Sequence, residues 1–131
     1  MALRTASIYR PRDGGEVRFS IMSRHTLDDG VTPDPKITRE SYDAWWPELA
    51  PPPSLIGAYY KRGLSWEAFK EKFAHYLLSP DAQQCLILLA EISHHADITI
   101  LCKEKNPERC HRRLVAEACR EIEPSLQIII E

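Results

Sequence analysis

Apolar positions recur along the chain with two periods, and the change from one to the other separates strands from helices. Residues 2–9 and 17–24 flank a Pro-Arg-Asp-Gly-Gly turn cluster, and both read as strands. In the second, Val17, Phe19 and Ile21 alternate with Arg18 and Ser20, which predicts one buried face and one partly wet face. Asp, Gly and Pro dominate residues 27–37, a loop. Residues 38–46 are expected to form a short helix with Thr38 as N-cap, ended by Pro47. Four prolines within residues 47–53 argue against a regular element there and predict a stiff surface connector.

Helical spacing then takes over. Ser65 opens a helix in which Trp66, Phe69, Phe73, Tyr76 and Leu77 form an apolar stripe, and Pro80 closes it. A second helix starts near Pro80 with Ser79 as cap and carries Cys85, Leu86, Leu88, Leu89 and Ile92 to about His94. Residues 97–102 contain the β-branched and apolar run Ile98-Thr99-Ile100-Leu101, expected as a buried, parallel strand. Asn106 and Pro107 supply an N-cap and a first-turn proline for a last helix over residues 107–122, with Cys110, Leu114, Val115, Ala118 and Ile122 at helical intervals. Residues 126–130 read as a closing strand. A β-α-β ending favours a parallel pair joined by a right-handed crossover. The expected fold is α/β: one compact domain over residues 1–131, with a short, mainly parallel sheet flanked by helices in Rossmann-like layering.

Composition narrows the function classes more than it changes the fold. A chain of 131 residues can bury a real core without disulfide or metal staples. The net charge of −2 gives no global field for nucleic acid or an anionic membrane, so any anion site must be local. No apolar run approaches the roughly 20 residues that cross a bilayer. The N-terminus also lacks the order of a signal peptide, and the expectation is a cytoplasmic protein without a membrane partner. Four cysteines, at 85, 102, 110 and 119, are few for a secreted scaffold and are expected to be thiols.

The candidate chemistry lies in residues 102–113, Cys-Lys-Glu-Lys-Asn-Pro-Glu-Arg-Cys-His-Arg-Arg, which join the best strand to the last helix. In open α/β sheets ligands bind beyond the carboxyl ends of strands, where Cys102 falls. Cys110 is expected in the first turns of the next helix, where free N–H groups and the helix dipole favour negative charge. With Arg109, His111, Arg112 and Arg113 adjacent, a thiol facing this site should have a lowered pKa and a raised thiolate fraction. Cys102 and Cys110 are therefore the candidate catalytic thiols. The same features make an anion site that needs no thiol chemistry, since a helix N-terminus and guanidinium groups suit phosphate or carboxylate. Arg112 and Arg113 point about 100° apart, so only one is expected to face such a site.

Plainer readings stand beside these. Buried cysteine is common, and Cys85 and Cys119 fall near the apolar faces of their helices, where packing explains them. Packing is also open for Cys102 and Cys110, and the charged residues around them could form a solvated loop. Zinc is not expected: Cys-x7-Cys-His does not match the paired knuckles of structural zinc sites, and it is not Cys-x-x-Cys either. A Cys102–Cys110 disulfide is geometrically open. No P-loop, G-x-G-x-x-G or G-x-S-x-G pattern is present, and no cofactor is expected. Trp45 and Trp46 read as core or loop anchors, with a pocket-lining role as the sharper alternative.

The C-x-E of Cys102 and Glu104, followed by Cys110-His111-Arg112, resembles the C-terminal motif of the DUF488 family. Ser20-Ile-Met-Ser-Arg24 is similar to that family's second-strand segment, which ends in Asp-Arg. Ala50-Pro-Pro-Pro-Ser-Leu55 with Trp66, Phe69 and Phe73 also looks like it. The resemblance implies a compact α/β domain whose site includes Arg24 as a second cation and favours Arg112 over Arg113. Ser23 stands where the family has an acidic residue, so Glu104 is the carboxylate candidate for acid–base work. The expectation is an anion site for phosphate or a nucleotide, with Cys102, Cys110 and Glu104 as candidate catalytic residues and Arg24, His111, Arg112 and Arg113 as candidate anion ligands. Its partner would be a small anionic ligand or a nucleic-acid phosphate. The alternative is a non-catalytic anion-binding or regulatory module with structural cysteines.

Overall fold

A computed structural model describes residues 2–131. Its core is a five-stranded sheet built from β1 (Ala2–Ser7), β2 (Val17–Ser20), β3 (Ala44–Trp45), β4 (Ile98–Cys102) and β5 (Gln127–Ile129). The strands lie in the order β3-β2-β4-β1-β5, and every pairing is parallel. β4 sits at the centre and all five of its residues are buried, which is why its sequence is continuously β-branched or apolar rather than alternating.

Four helices follow the proline-rich stretch: α1 (Pro53–Lys61), α2 (Trp66–Tyr76), α3 (Pro80–Ser93) and α4 (His111–Ile122). Ser65 caps α2 by accepting from the Ala68 N–H at 3.1 Å, and Ser79 caps α3 through Ala82, with Pro80 at its first position. Leu3, Phe19, Ile21, Ile98 and Ile100 share one core with Leu55 of α1, Phe73 of α2, Leu89 of α3 and Val115 of α4. A smaller cluster, Ala6, Ile8, Met22 and Leu101, packs with Tyr9, Ile37 and Tyr42 and contains no helical residue. The helices thus cover one face of the sheet, and the β1–β2 and β2–β3 loops cover the other.

Three expectations are corrected. Residues 38–46 are not a helix. The Ser41 hydroxyl accepts from the Thr38 N–H at 3.0 Å, and Ser41 N–H donates to the Thr38 carbonyl, closing a tight turn. The Asp43 carboxylate then accepts from the Arg18 N–H at 2.8 Å and draws the chain alongside β2, where Ala44 and Trp45 pair as an edge strand. The proline segment does hold regular structure: Pro47–Leu49 forms a 3-10 turn and Pro53 opens α1, a first-turn position where a missing N–H costs nothing.

The polar face of β2 is not wet. Arg18 is 1 % exposed, its guanidinium held by Glu16 Oε1 at 3.2 Å and by the carbonyls of Ser41 and Ile8, and Ser20 is fully buried. An alternating pattern cannot distinguish water from a buried ionic network on the polar side.

Candidate functional site

β1 and β4 are neighbours, yet their onward connections diverge. After β1 the chain crosses beyond β4 to β2, and after β4 it crosses beyond β1 to β5. Connections that part in this way open a crevice at the carboxyl ends of the strands. Cys102 ends β4 at this point, in register with Ser7 of β1, whose hydroxyl donates to the Lys103 carbonyl at 3.3 Å.

The loop from Cys102 returns as two helical pieces rather than the single helix expected over residues 107–122. Asn106 caps a 3-10 turn, Pro107–Arg109, by accepting from the Glu108 N–H at 2.9 Å. Cys110 then adopts an extended conformation, φ −129° and ψ 142°, and serves as N-cap of α4 without a side-chain cap hydrogen bond. Its thiol is 2 % exposed. Cys110 therefore precedes the helix instead of lying in its first turns, and the break turns it toward Cys102.

His111, the first residue of α4, joins the two thiols. Its Nδ1 is 3.3 Å from Cys102 Sγ, and its Nε2 is 2.7 Å from the Ile21 carbonyl oxygen. A carbonyl can only accept, so Nε2 carries the proton. In the neutral ring Nδ1 then presents its lone pair to the sulfur. Phe73 meets the imidazole edge-on at 5.9 Å and fixes the ring plane. Sγ of Cys102, Sγ of Cys110 and a ring nitrogen of His111 all lie within 4.8 Å of one another.

The electrostatics separate the two cysteines. Burial would push the Cys102 thiol up, but contact with the Cys110 thiol, the Glu104 and Lys103 N–H groups and the charge of Arg112 outweigh it, so its pKa is lowered. For Cys110, burial and the neighbouring Cys102 sulfur both push the pKa up. Of the pair, Cys102 is thus held below the ordinary thiol range and Cys110 above it. Cys119, on the buried face of α4 among apolar side chains, is pushed up to about 12 by burial alone.

Arg112 is fully buried and faces inward, as the resemblance favours, but its N–H groups are directed to the protein itself. Nη1 donates to the Glu104 main-chain oxygen and stands 3.3 Å from Cys110 Sγ. Nη2 donates to the main-chain oxygens of Lys105 at 3.3 Å and Glu131 at 3.0 Å, and Nε also points to that of Glu131. Arg113 points outward and pairs with Glu117 at 2.8 Å. Arg24 lies on an exposed turn, with Nη1 donating to the Gly30 carbonyl at 3.1 Å. The Glu104 carboxylate accepts from the Tyr60 hydroxyl at 2.9 Å, and the two line an open depression with Tyr59, Asn106, Glu108 and Arg109. Burial, then Glu104, raises the pKa of Tyr60, and the field of both thiols adds to the shift. Lys103 ties the loop to Asp28 at 2.6 Å. Cys102, Cys110, His111 and Arg112 are thus brought together, whereas Arg24 and Arg113 have other partners.

The three close donor atoms could hold a soft metal ion, a proximity that the spacing does not reveal. A divalent ion would have to share Cys110 with a buried guanidinium already fixed by main-chain oxygens, which makes the set a poor fit. Two participants left no signal in the sequence: the Ile21 carbonyl, which is main chain, and Tyr60, which arrives from an unanticipated helix.

Fold and site define a one-domain parallel α/β protein with a buried cysteine–histidine cluster at its strand ends. The chain belongs to the DUF488 family: residues 3–123 match DUF488-N3a, described as the active DUF488-N3 subclade. No curated protein and no solved structure matches the chain.

Proposed function

We propose that the chain is a thiol enzyme in which Cys102 is the nucleophile and His111 its base. The observation that carries this is the 3.3 Å contact between Cys102 Sγ and Nδ1, with the opposite ring nitrogen committed as donor to Ile21. Structural cysteines need no oriented imidazole. A nucleophilic one does, because the thiolate is the reactive form and an adjacent base with a fixed tautomer takes its proton.

The substrate in this reading is a small anionic electrophile that enters by the depression beside Tyr60 and Glu104. Arg109 on its rim and the N-terminus of α4 supply the positive end. Glu104, released from Tyr60, is the carboxylate that moves a proton at the mouth of the site in this reading. Arg112 supports the nucleophile by its charge and holds the loop, instead of gripping substrate.

Iodoacetamide labelling of the native protein across pH, read by mass spectrometry, tests the reading. Cys102 should label with a midpoint below that of an ordinary free thiol, about 8.5, and inorganic phosphate or a mononucleotide should slow it. Labelling of Cys102 only after unfolding, or along an ordinary free-thiol profile, rejects the nucleophile.

A further inference from the structure

Cys110 is not the base of Cys102, yet it is built into the same cluster. Its Sγ lies within 4.8 Å of Cys102 Sγ, and both residues are almost wholly withdrawn from solvent, at 2 % and 5 % exposure. A protein or peptide thiol cannot reach Cys102 at that burial, so the first sulfur that an oxidised Cys102 meets is Cys110. Arg112 stands 3.3 Å from the Cys110 sulfur, where its charge stabilises the thiolate that forms during attack on a neighbouring sulfur.

The backbone also allows the approach. Cys110 is the extended residue between a 3-10 turn and α4, so its sulfur can move by rotation at this joint without unwinding a helix. Cys85 and Cys119 do not compete. Cys119 packs against α3, with its thiol directed to the Leu86 carbonyl, and Cys85 lies on α3 itself.

We propose that Cys110 is the resolving thiol of Cys102, so that a hydroperoxide converts the pair into a reversible disulfide. This rests on the reading of Cys102 as nucleophile. The Cys102 thiolate attacks the terminal oxygen of the hydroperoxide, the O–O bond breaks, and the alcohol or water leaves with one proton, giving a Cys102 sulfenic acid. The Cys110 sulfur attacks that sulfur, the S–O bond breaks, and the hydroxyl leaves as water with the Cys110 proton. Two electrons pass from the thiol pair to the peroxide. A small external dithiol returns them, releasing both thiols. In the oxidised state Cys102 has no free sulfur, so the same reaction that protects it from over-oxidation also silences the dyad.

The test treats the reduced full chain with hydrogen peroxide and maps the products by mass spectrometry without reduction. The wild type is expected to lose two hydrogens, with Cys102 and Cys110 crosslinked, and to recover on adding dithiothreitol. Cys110→Ser is expected to stop at a sulfenic acid on Cys102 that dimedone traps, while a Cys85→Ser, Cys119→Ser double variant behaves as wild type. A crosslink through Cys85 or Cys119, or direct passage of wild-type Cys102 to sulfinic acid, overturns the proposal. Iodoacetamide labelling of the wild type across pH separates the two readings. Low-midpoint labelling of Cys102 with no wild-type disulfide removes the resolving role and leaves the dyad standing. Ordinary or absent labelling removes both.

Discussion

The guanidinium of Arg112 reaches from the first turn of α4 to the main-chain oxygen of Glu104, bridging the two ends of the loop that begins at Cys102. It also takes the oxygens of Lys105 and Glu131, so one side chain joins β4's exit loop, α4 and the chain beyond β5. Such a buried cation satisfied by carbonyls acts as a strut. Arg112→Ala leaves several buried acceptors unpaired at about 1–3 kcal/mol each, and a loss of roughly 3 kcal/mol is expected. Arg112→Lys should recover only part, because one ammonium cannot span the same oxygens. Urea denaturation followed by far-UV circular dichroism reads this directly, and an unchanged midpoint in Arg112→Ala would show that the strut is dispensable.

His111 is expected to affect the chemistry of Cys102 more than the fold. In His111→Ala the sulfur loses its base but keeps the Lys103 and Glu104 N–H groups and Arg112. The pH midpoint for Cys102 alkylation should rise toward the ordinary thiol value while the circular dichroism spectrum is retained. Equal midpoints in variant and wild type would assign the activation to the loop and Arg112 alone.

The strand-and-helix order and the location of the cluster were legible because they rest on short-range signals. β4 announces itself by an unbroken buried run, α2 and α3 by serine caps and proline ends, and the cluster by two thiols and a histidine near one strand end. The misses have long-range causes. Residues 38–46 carry helix-compatible residues, but Asp43 is captured by Arg18 and Arg12 from distant sequence, which makes an edge strand of them. The break at Cys110 was hidden because Asn106-Pro107 is a sound start signal; it starts a 3-10 turn instead. Arg112 read as an anion ligand because its partners are main-chain oxygens, which no side-chain pattern records.

Tyr60 and Glu104 share a single exposed hydrogen bond at the depression proposed as the entrance to Cys102. Tyr60→Phe removes it at little cost in stability, about 1 kcal/mol or less, and frees the carboxylate. Cys102 alkylation should accelerate severalfold at constant pH, with an unchanged pH midpoint. A slower reaction would mean that the phenol assists the thiolate rather than covers it. Glu104→Gln keeps an acceptor for the phenol, so its labelling rate should remain near wild type.

The buried thiols also set a direction for stability at alkaline pH. Cys119 ionises near 8.5 when unfolded but only at about 12 when folded. Its contribution is therefore fully present below the unfolded value and is lost progressively as pH rises toward the folded one, because the unfolded chain releases the proton first. Cys110, also raised, acts in the same sense, whereas Cys102, whose pKa is lowered, contributes stability above the unfolded value that fades as pH falls through its folded pKa. Burial raises Cys85 too, and above the unfolded value the contribution of Cys102 is already constant, so the three raised thiols make stability decline from about pH 8.5 upward. Cys119→Ala removes one of the three raised thiols at the cost of a small cavity. Its urea midpoint should be lower than wild type at neutral pH but fall less steeply between pH 8 and 10, and parallel curves for the two proteins would show that Cys119 takes no part in the alkaline loss.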